Sequence, residues 1–324
     1  MLLVTLSFGM QNYLMNTVKY ILQLSTVVFL LRCSQSYAQD LEPRTYANVP
    51  VKLNFFVVGT GYTSGAVLFD PTIPLENAHI KINGFVMAYA RTLKLGKMSG
   101  KVDVVVPYAI LSGTADFNEQ QVSRNVSGFG DTKVSMSVNF IGAPPLAVSG
   151  FKDYKQKLVI GARLQVYVPL SQYDPDRLVN IGTNRFAFKP ELGISKKFGR
   201  LFLEGAGGAA LYTANNDFYG GKKLLQSPIG FVQSHAIYTF KKGIWIALDA
   251  TYYWGGRTTI NGVKGDNLQE NSRVGFTCAV PINMHQSLKL NLSSGVSTRT
   301  GSDFNVIFLV WQYRWGADLK KIKK

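Results

Sequence analysis

From about residue 50 onward, hydrophobic and polar residues alternate along the chain in runs that are separated by clusters of Gly, Asn and Asp. In Leu158–Val168 every second residue is apolar, whereas Arg163 and Gln165 occupy positions of the opposite parity. The segment 244–254 repeats this pattern, with Asp249 on its polar side. A period of two residues is typical of β-strands that have one apolar and one polar face. The chain therefore predicts an all-β fold.

The strand-like runs number twelve, and each has about ten residues, the length with which a tilted strand crosses a bilayer. They begin near residues 50, 79, 99, 129, 158, 184, 200, 228, 244, 270, 287 and 302. Long polar connections alternate with tight ones; the long ones are 63–78, 112–128, 172–183, 214–227 and 255–269, with a shorter one at 298–302, and the tight ones are 94–100, 197–200, 241–243 and 283–287. The connection 142–157 is the exception, because it is long on the side of the tight turns. This alternation predicts a transmembrane antiparallel β-barrel of about twelve strands over residues 50–315, with short periplasmic turns and longer external loops.

Composition and charge narrow the class of protein. The chain is 46% hydrophobic and 17% charged, with a mean hydropathy of +0.05, and a helical membrane protein would be far more apolar. The net charge is +16, yet the chain has neither an Arg-rich helix nor zinc-finger spacing, so we expect no nucleic-acid partner. Outer-membrane lipid and a small-molecule solute are the predicted partners. The sequence does not indicate whether the protein is a monomer or an oligomer.

The N-terminus has the features of an export signal. Lys19 precedes an apolar run over 20–31, and Ser36-Tyr37-Ala38 provides a small-x-small cleavage site. We predict a cleavable signal peptide over residues 1–38, with residues 1–14 as an over-called start, and hence location in the outer membrane. Residues 39–49 would form a periplasmic segment, and whether that segment enters the barrel stays open.

The last predicted strand carries an aromatic face. Trp311, Tyr313 and Trp315 alternate with polar residues, similar to the C-terminal signal by which barrels are recognised for assembly. The basic tail 316–324 departs from that pattern, since such barrels usually end at the aromatic residue. A secreted soluble β-sandwich or barrel remains an alternative, because the sequence does not show which strand face points inward.

Several segments together resemble one family, the outer-membrane transporters grouped under the heading "MetA pathway of phenol degradation". The segments are 44–50, 128–131, 172–178 with 182–185, 188–193 and 295–304, so the resemblance covers most of residues 44–315. The sequence Tyr-Asp-Pro-Asp-Arg at 173–177 is the most specific of them. The resemblance implies an outer-membrane barrel that takes up aromatic or other hydrophobic compounds.

The polar strand faces supply the candidate functional residues. If these faces line a lumen, the inward set is Asp103, Lys133, Arg163, Lys189, Glu191, Glu204, Asp249, Arg273, Lys289 and Arg314, of which six are basic. As a hypothesis, these side chains form a narrow path that weakly favours anions. The alternative is that cross-lumen ion pairs brace and fill the barrel, which would then be a closed structural or surface protein without transport.

An external loop motif is the second candidate site. Tyr173, Asp174, Asp176 and Arg177 could constrict the pore or bind a cation, but two carboxylates fall short of the six or more oxygens that Ca²⁺ prefers. We therefore favour a rigid turn around Pro175 and predict no metal site.

Catalysis is not expected. An outer-membrane lipid hydrolase, the least favoured alternative, needs a paired Ser and His. The chain has only His79, His235 and His285, and Ser234 should face away from His235 because neighbours on a strand point to opposite faces. The sequence predicts neither a catalytic site nor a cofactor.

Overall fold

The computed structural model describes residues 42–68, 75–117, 119–151, 153–316 and 319. The predicted signal peptide and nearly all of the basic tail lie outside the described residues. The strands are β1 Leu53–Leu68, β2 Leu75–Leu95, β3 Met98–Phe117, β4 Gln120–Phe129, β5 Thr132–Ile141, β6 Leu158–Val168, β7 Ala187–Phe198, β8 Leu201–Tyr212, β9 Asn215–Phe218, β10 Lys222–Gln226, β11 Ile229–Thr239, β12 Trp245–Gly255, β13 Thr258–Ile260, β14 Val263–Lys264, β15 Gln269–Pro281, β16 Gln286–Ser297 and β17 Gly301–Gly316.

The main sheet closes into a twelve-stranded antiparallel β-barrel, which confirms the predicted fold class and strand number. Neighbouring barrel strands pair antiparallel, and β1 pairs with β17 from Leu53–Gly316 to Leu68–Gly301 to close the barrel. Strands β4 and β5 together make one barrel strand, since both pair along β3 on either side of Gly130. In the part of the chain that the structure describes, closure pairs the wall strands on both sides, except that β4 pairs with β3 alone.

The connections differ from the prediction in two places. The stretches 63–78 and 112–128 were predicted to be long loops, but much of each continues the strands β1 to β4 as long hairpin arms. Polar residues such as Ser112, Thr114 and Asn125 gave these arms the composition of loops. A second sheet of four short strands, β9, β10, β13 and β14, forms within the connections 213–228 and 256–268, where no strands were predicted.

The barrel exposes its apolar face and buries its polar face. Exposed side chains include Met87, Leu192 and Leu248. By contrast, Arg163 on β6 and Glu191 on β7 are buried, although apolar residues of the same strands are exposed. Such an inside-out distribution is what a barrel in a hydrocarbon solvent requires. No helix within the described ranges is long and apolar enough to cross a membrane.

The connection 142–157 is long although it lies at the end of the barrel that carries the tight turns. In its described residues, it contains a 3₁₀ turn at Ser149–Phe151. Its first residues pack into the barrel mouth, where Ala143, Val159 and Tyr46 form a small buried cluster. The tight connections at this end are two to five residues long by comparison, with two residues between β7 and β8. This end is the one that barrels of this type turn to the periplasm.

Candidate functional site: the barrel interior and the N-terminal segment

All ten charged residues of the predicted inward set occupy interior-facing positions of the strands. Eight of them are almost completely buried, namely Asp103, Lys133, Arg163, Lys189, Glu191, Glu204, Asp249 and Arg273. Lys289 is the register partner of buried Ala279 and shares its face. Arg314 lies at the periplasmic end, where its Nε donates to the Met284 carbonyl at 2.6 Å.

Strand register places these residues in rows across the barrel wall. Arg163 on β6 is the register partner of Glu191 on β7. His235 on β11 lies between Glu204 on β8 and Asp249 on β12. The interior face of strands β5 to β12 therefore carries charged residues that face each other at close range, and the buried apolar side chains of Phe202, Phe231 and Ile237 lie among them.

The chain that precedes β1 enters this surface. We call residues 42–50 the N-terminal segment. Its Glu42 carboxylate contacts Arg163 Nη1 at 2.5 Å and Lys133 Nζ at 3.0 Å. Burial alone would raise the pKa of Glu42, but the two cations outweigh burial and hold that pKa well below its usual range. Glu42 is thus an anion that neutralises two lumen cations.

Arg44 makes the second anchor of the N-terminal segment. Its backbone N–H donates to Glu204 Oε2 at 2.8 Å. Its guanidinium lies 5.4 Å from the ring centre of Phe202 and 5.5 Å from that of Trp245. Cation–π contacts of this kind contribute about 0.5–2 kcal/mol each, more when they are desolvated.

Tyr46 makes the third anchor, and its side chain is almost completely buried. It is 1% exposed, and its hydroxyl donates to Glu191 Oε1 at 2.6 Å. Burial and the neighbouring Glu191 carboxylate both raise the pKa of Tyr46, so the phenol stays protonated. The ring lies directly on Gly193, where any Cβ would overlap it. The three anchors place the N-terminal segment inside the barrel.

The connection 142–157 supports the N-terminal segment from outside. Asn48 Nδ2 donates to the Pro144 carbonyl at 3.1 Å, and the Val51 N–H donates to the Leu146 carbonyl at 3.0 Å. Gln156 Nε2 reaches Ser195 Oγ at 3.2 Å on the interior wall. The unusual length of this connection is explained by these contacts, because a tight turn could not reach the segment.

A histidine–carboxylate pair in the interior was missed by the sequence analysis. His235 Nδ1 lies 2.6 Å from Asp249 Oδ1, and Thr277 Oγ1 donates to Asp249 Oδ2 at 3.0 Å. Within the described residues, His235 Nε2 has no hydrogen-bond partner, and Ser234 points to the exposed face. The pair could have been found by folding the chain about Lys242, which places 235 opposite 249.

The opposite wall of the interior is apolar. On β1 and β17 the inward positions include Gly59 with its register partner Val310, and Gly61 with its register partner Phe308. The ring of Phe308 covers Gly59, where a Cβ would lie 2.6 Å from Phe308 Cε1. The lumen therefore has a side rich in charges and, opposite it, an apolar patch around Phe308.

The loop motif forms a locally braced turn. Asp174 Oδ1 accepts from the Asp176 N–H at 3.0 Å, and the Asp174 carbonyl accepts from the Arg177 N–H at 3.2 Å. Tyr173 accepts a hydrogen bond from Asn215 Nδ2 at 3.0 Å. Nearby, Asp131 accepts from Ser171 and Thr183 and fixes the same connection to the strand wall. The Asp174 carboxylate is thus used in holding the turn.

The aromatic residues of β17 lie near the periplasmic end. Tyr313 and Trp315 are exposed and stack with ring centres 5.8 Å apart, and Trp311 stacks on Tyr313 at 6.2 Å. Tyr89 of β2 contacts Trp315 across the closing strands at 6.2 Å. These rings form part of an interfacial aromatic girdle.

A closed antiparallel barrel with an apolar exterior, a polar interior and short turns at one end defines the class of outer-membrane β-barrels. The family model described as "Putative MetA-pathway of phenol degradation" matches residues 60–306, and the chain belongs to this family. No curated protein matches the chain significantly.

Three solved structures are similar to the chain to different degrees. An outer membrane channel from Pseudomonas putida F1 superposes with a TM-score of 0.71 at 17% identity, covering 85% of this chain and 100% of the other. The transport unit of the autotransporter AIDA-I from Escherichia coli gives 0.48 at 10% identity, covering 86% and 93%. A mutant of the monoaromatic hydrocarbon channel TodX gives 0.47 at 11% identity, covering 87% and 96%.

Proposed function

We propose that this protein is an outer-membrane channel for small molecules that have a hydrophobic or aromatic body, and that its N-terminal segment narrows the periplasmic half of the path. The observation that carries this proposal is the two-sided lumen. An apolar wall around Phe308 offers a surface for a ring or hydrocarbon, whereas the charged wall keeps the path hydrated. Membership of the phenol-degradation family supports the same solute class.

The charged wall would set the ion preference of the path. Arg163 holds the N-terminal segment through Glu42, so its reversal would disturb the segment as well as the lumen charge. Lys189 provides a second test of the wall charge, because its ammonium lies 4.3 Å from the Phe231 ring centre on the interior wall.

The experiment is single-channel conductance of the mature chain in planar bilayers, compared with Lys189→Glu. We expect discrete conductance steps, a weak anion preference in the wild type and a shift toward cations in the variant. Lys264→Glu, an exposed substitution on β14, is the matched control and should leave the ion preference unchanged. Equal ion preference in all three proteins would overturn the assignment of Lys189 to the conducting path.

Solute transport needs its own measurement. Vesicles that contain the protein and enclose a solute sensor should admit monoaromatic compounds faster than protein-free vesicles. Phe308→Ser, which makes the apolar wall polar, should slow the aromatic compound more than a small sugar.

The second candidate is a closed structural barrel, and the three anchors of the N-terminal segment are the specific observation in its favour. A barrel that is folded by its heat-modifiable gel mobility, yet conducts no ions and admits no solute, would support the closed barrel. Export by the predicted signal peptide and residence in the outer membrane belong to both candidates.

A further inference from the structure

The periplasmic rim of the barrel carries a contiguous set of cations. We call the following residues the basic arc: Lys155, Lys157, Lys196, Lys197, Arg200, Lys241 and Lys242. They lie in the connections that enter β6, join β7 to β8 and join β11 to β12, or in the last residues of β7, and all seven are exposed. In the described part of these connections, Asp153 is the one exposed acid.

The members of the basic arc are neighbours in space. Strands β6, β7, β8, β11 and β12 are consecutive in the sheet, so the arc spans four inter-strand spacings, roughly 19 Å. Backbone hydrogen bonds join its parts, from the Lys197 N–H to the Lys157 carbonyl and from the Thr239 N–H to the Arg200 carbonyl, both at 2.9 Å. Seven like charges over about two Debye lengths repel one another unless anions lie beside them.

The charge distribution at the opposite end of the barrel is different. Exposed residues of the external connections include acids and bases together, for example Asp217 with Lys222 and Lys223, and Asp266 with Arg299. Arg299 Nη2 lies 3.6 Å from Asp266 Oδ1, so these charges are partly neutralised within the protein. The excess positive charge is therefore concentrated at the periplasmic rim.

The position of Lys196 identifies the kind of anion. Lys196 follows Ile194 and precedes Phe198 on the outward face of β7, and these neighbours are 45% and 49% exposed. Its Nζ lies 5.0 Å from the Phe198 ring centre. On β11 and just after it, Tyr238 and Phe240 add aromatic residues at the level of the arc. A lysine that lies among lipid-facing aromatic residues at the end of a strand can extend its ammonium to the level of the lipid headgroups.

We propose that the basic arc binds anionic phospholipid headgroups of the inner leaflet, with phosphatidylglycerol as the representative ligand. The phosphates lie beside the lysine and arginine side chains, and the acyl chains lie along Ile194, Phe198 and Tyr238. This binding surface is independent of whether the lumen conducts.

The test is native mass spectrometry of the folded mature chain in detergent, with added phosphatidylglycerol or zwitterionic phosphatidylethanolamine. The arc variant is Lys196→Gln/Arg200→Gln/Lys241→Gln. The matched control removes three exposed cations at the external end, Lys222→Gln/Lys223→Gln/Lys264→Gln. Heat-modifiable gel mobility establishes that both variants are folded.

We expect the wild type to bind phosphatidylglycerol more tightly than phosphatidylethanolamine, and binding to weaken as salt is raised. Each basic side chain at an anionic surface accounts for roughly a fivefold change in binding, so the arc variant should lose affinity on the order of a hundredfold. The control should stay within about twofold of the wild type.

Two results would overturn the proposal: equal affinity of the two variants for phosphatidylglycerol, or equal affinity of the wild type for both lipids. If the arc variant does not fold, the salt dependence and lipid preference of the wild type still decide the question.

Discussion

Docking of the N-terminal segment can be tested by removing one oxygen atom. In Tyr46→Phe the ring still packs on Gly193, but the hydroxyl no longer donates to Glu191. Glu191 keeps its bond from Gln233 Nε2 at 3.2 Å. A buried hydrogen bond to a carboxylate contributes about 1.5–3 kcal/mol. The released fraction of the segment should therefore rise roughly tenfold to a hundredfold.

Amide hydrogen exchange of the folded barrel measures that fraction. The Arg44 N–H is bound to Glu204 and the Val51 N–H to the Leu146 carbonyl, so both exchange only when the segment opens. We expect faster exchange over residues 44–51 in Tyr46→Phe, and unchanged exchange around Ile237 in the wall.

Gly193→Ala gives a second route to the same state, because the added Cβ overlaps the Tyr46 ring. It should release the segment more completely than Tyr46→Phe. If neither substitution changes exchange over residues 44–51, Tyr46 does not hold the segment, and the described docking is refuted.

Three further outcomes are expected. The pKa of Glu42 is depressed when the segment is docked, so docking is fully stable above the ordinary value of 4.5 and should be lost as pH falls through the lower, docked pKa. The protection of amides 44–51, corrected for the intrinsic pH dependence of exchange, should be the same at pH 6 and pH 8, and Glu42→Gln should reduce the loss of protection at low pH. Leu248→Arg places a cation on a 65% exposed position of the wall and should lower the free energy of unfolding in bilayers by about 2–4 kcal/mol. The control substitution Val263→Arg, at a 72% exposed position in β14, should lower it by less than about 0.5 kcal/mol. Equal losses in the two variants would contradict a lipid-facing outer surface of β12. Asp249→Ala removes the carboxylate that pairs with His235 and should lower the free energy of unfolding by about 1–3 kcal/mol. The temperature of the heat-modifiable gel shift should fall accordingly. An unchanged temperature would show that the pair does not stabilise the wall.

The strands could be predicted from the sequence because the alternation of apolar and polar residues within each strand reflects its two faces. Alternation placed Arg163 and Asp249 on the polar face without knowledge of any partner, and the structure puts both in the interior. Hairpin register was within reach as well. The tight turn at Gly199 pairs Ser195 with Glu204, and their side chains hydrogen bond at 2.9 Å.

The contacts of the N-terminal segment could not be predicted in this way. Glu42 meets Arg163 across 121 positions of sequence, and Tyr46 meets Glu191 across 145. The segment is irregular, so it has no periodicity to extrapolate and no turn that sets a register. The hairpin arms were missed for a different reason, because above the bilayer both faces of a strand contact water and alternation disappears.

The N-terminal segment leads directly into β1 at Leu53, and this connection makes it a tethered ligand of its own barrel. A tether of a few residues holds a ligand at an effective concentration in the millimolar range. A free peptide with the sequence of residues 42–50 would therefore have to approach millimolar concentration before it displaced the segment. A weak intrinsic affinity is then sufficient to keep the barrel occupied, and a modest loss of affinity is sufficient to empty it.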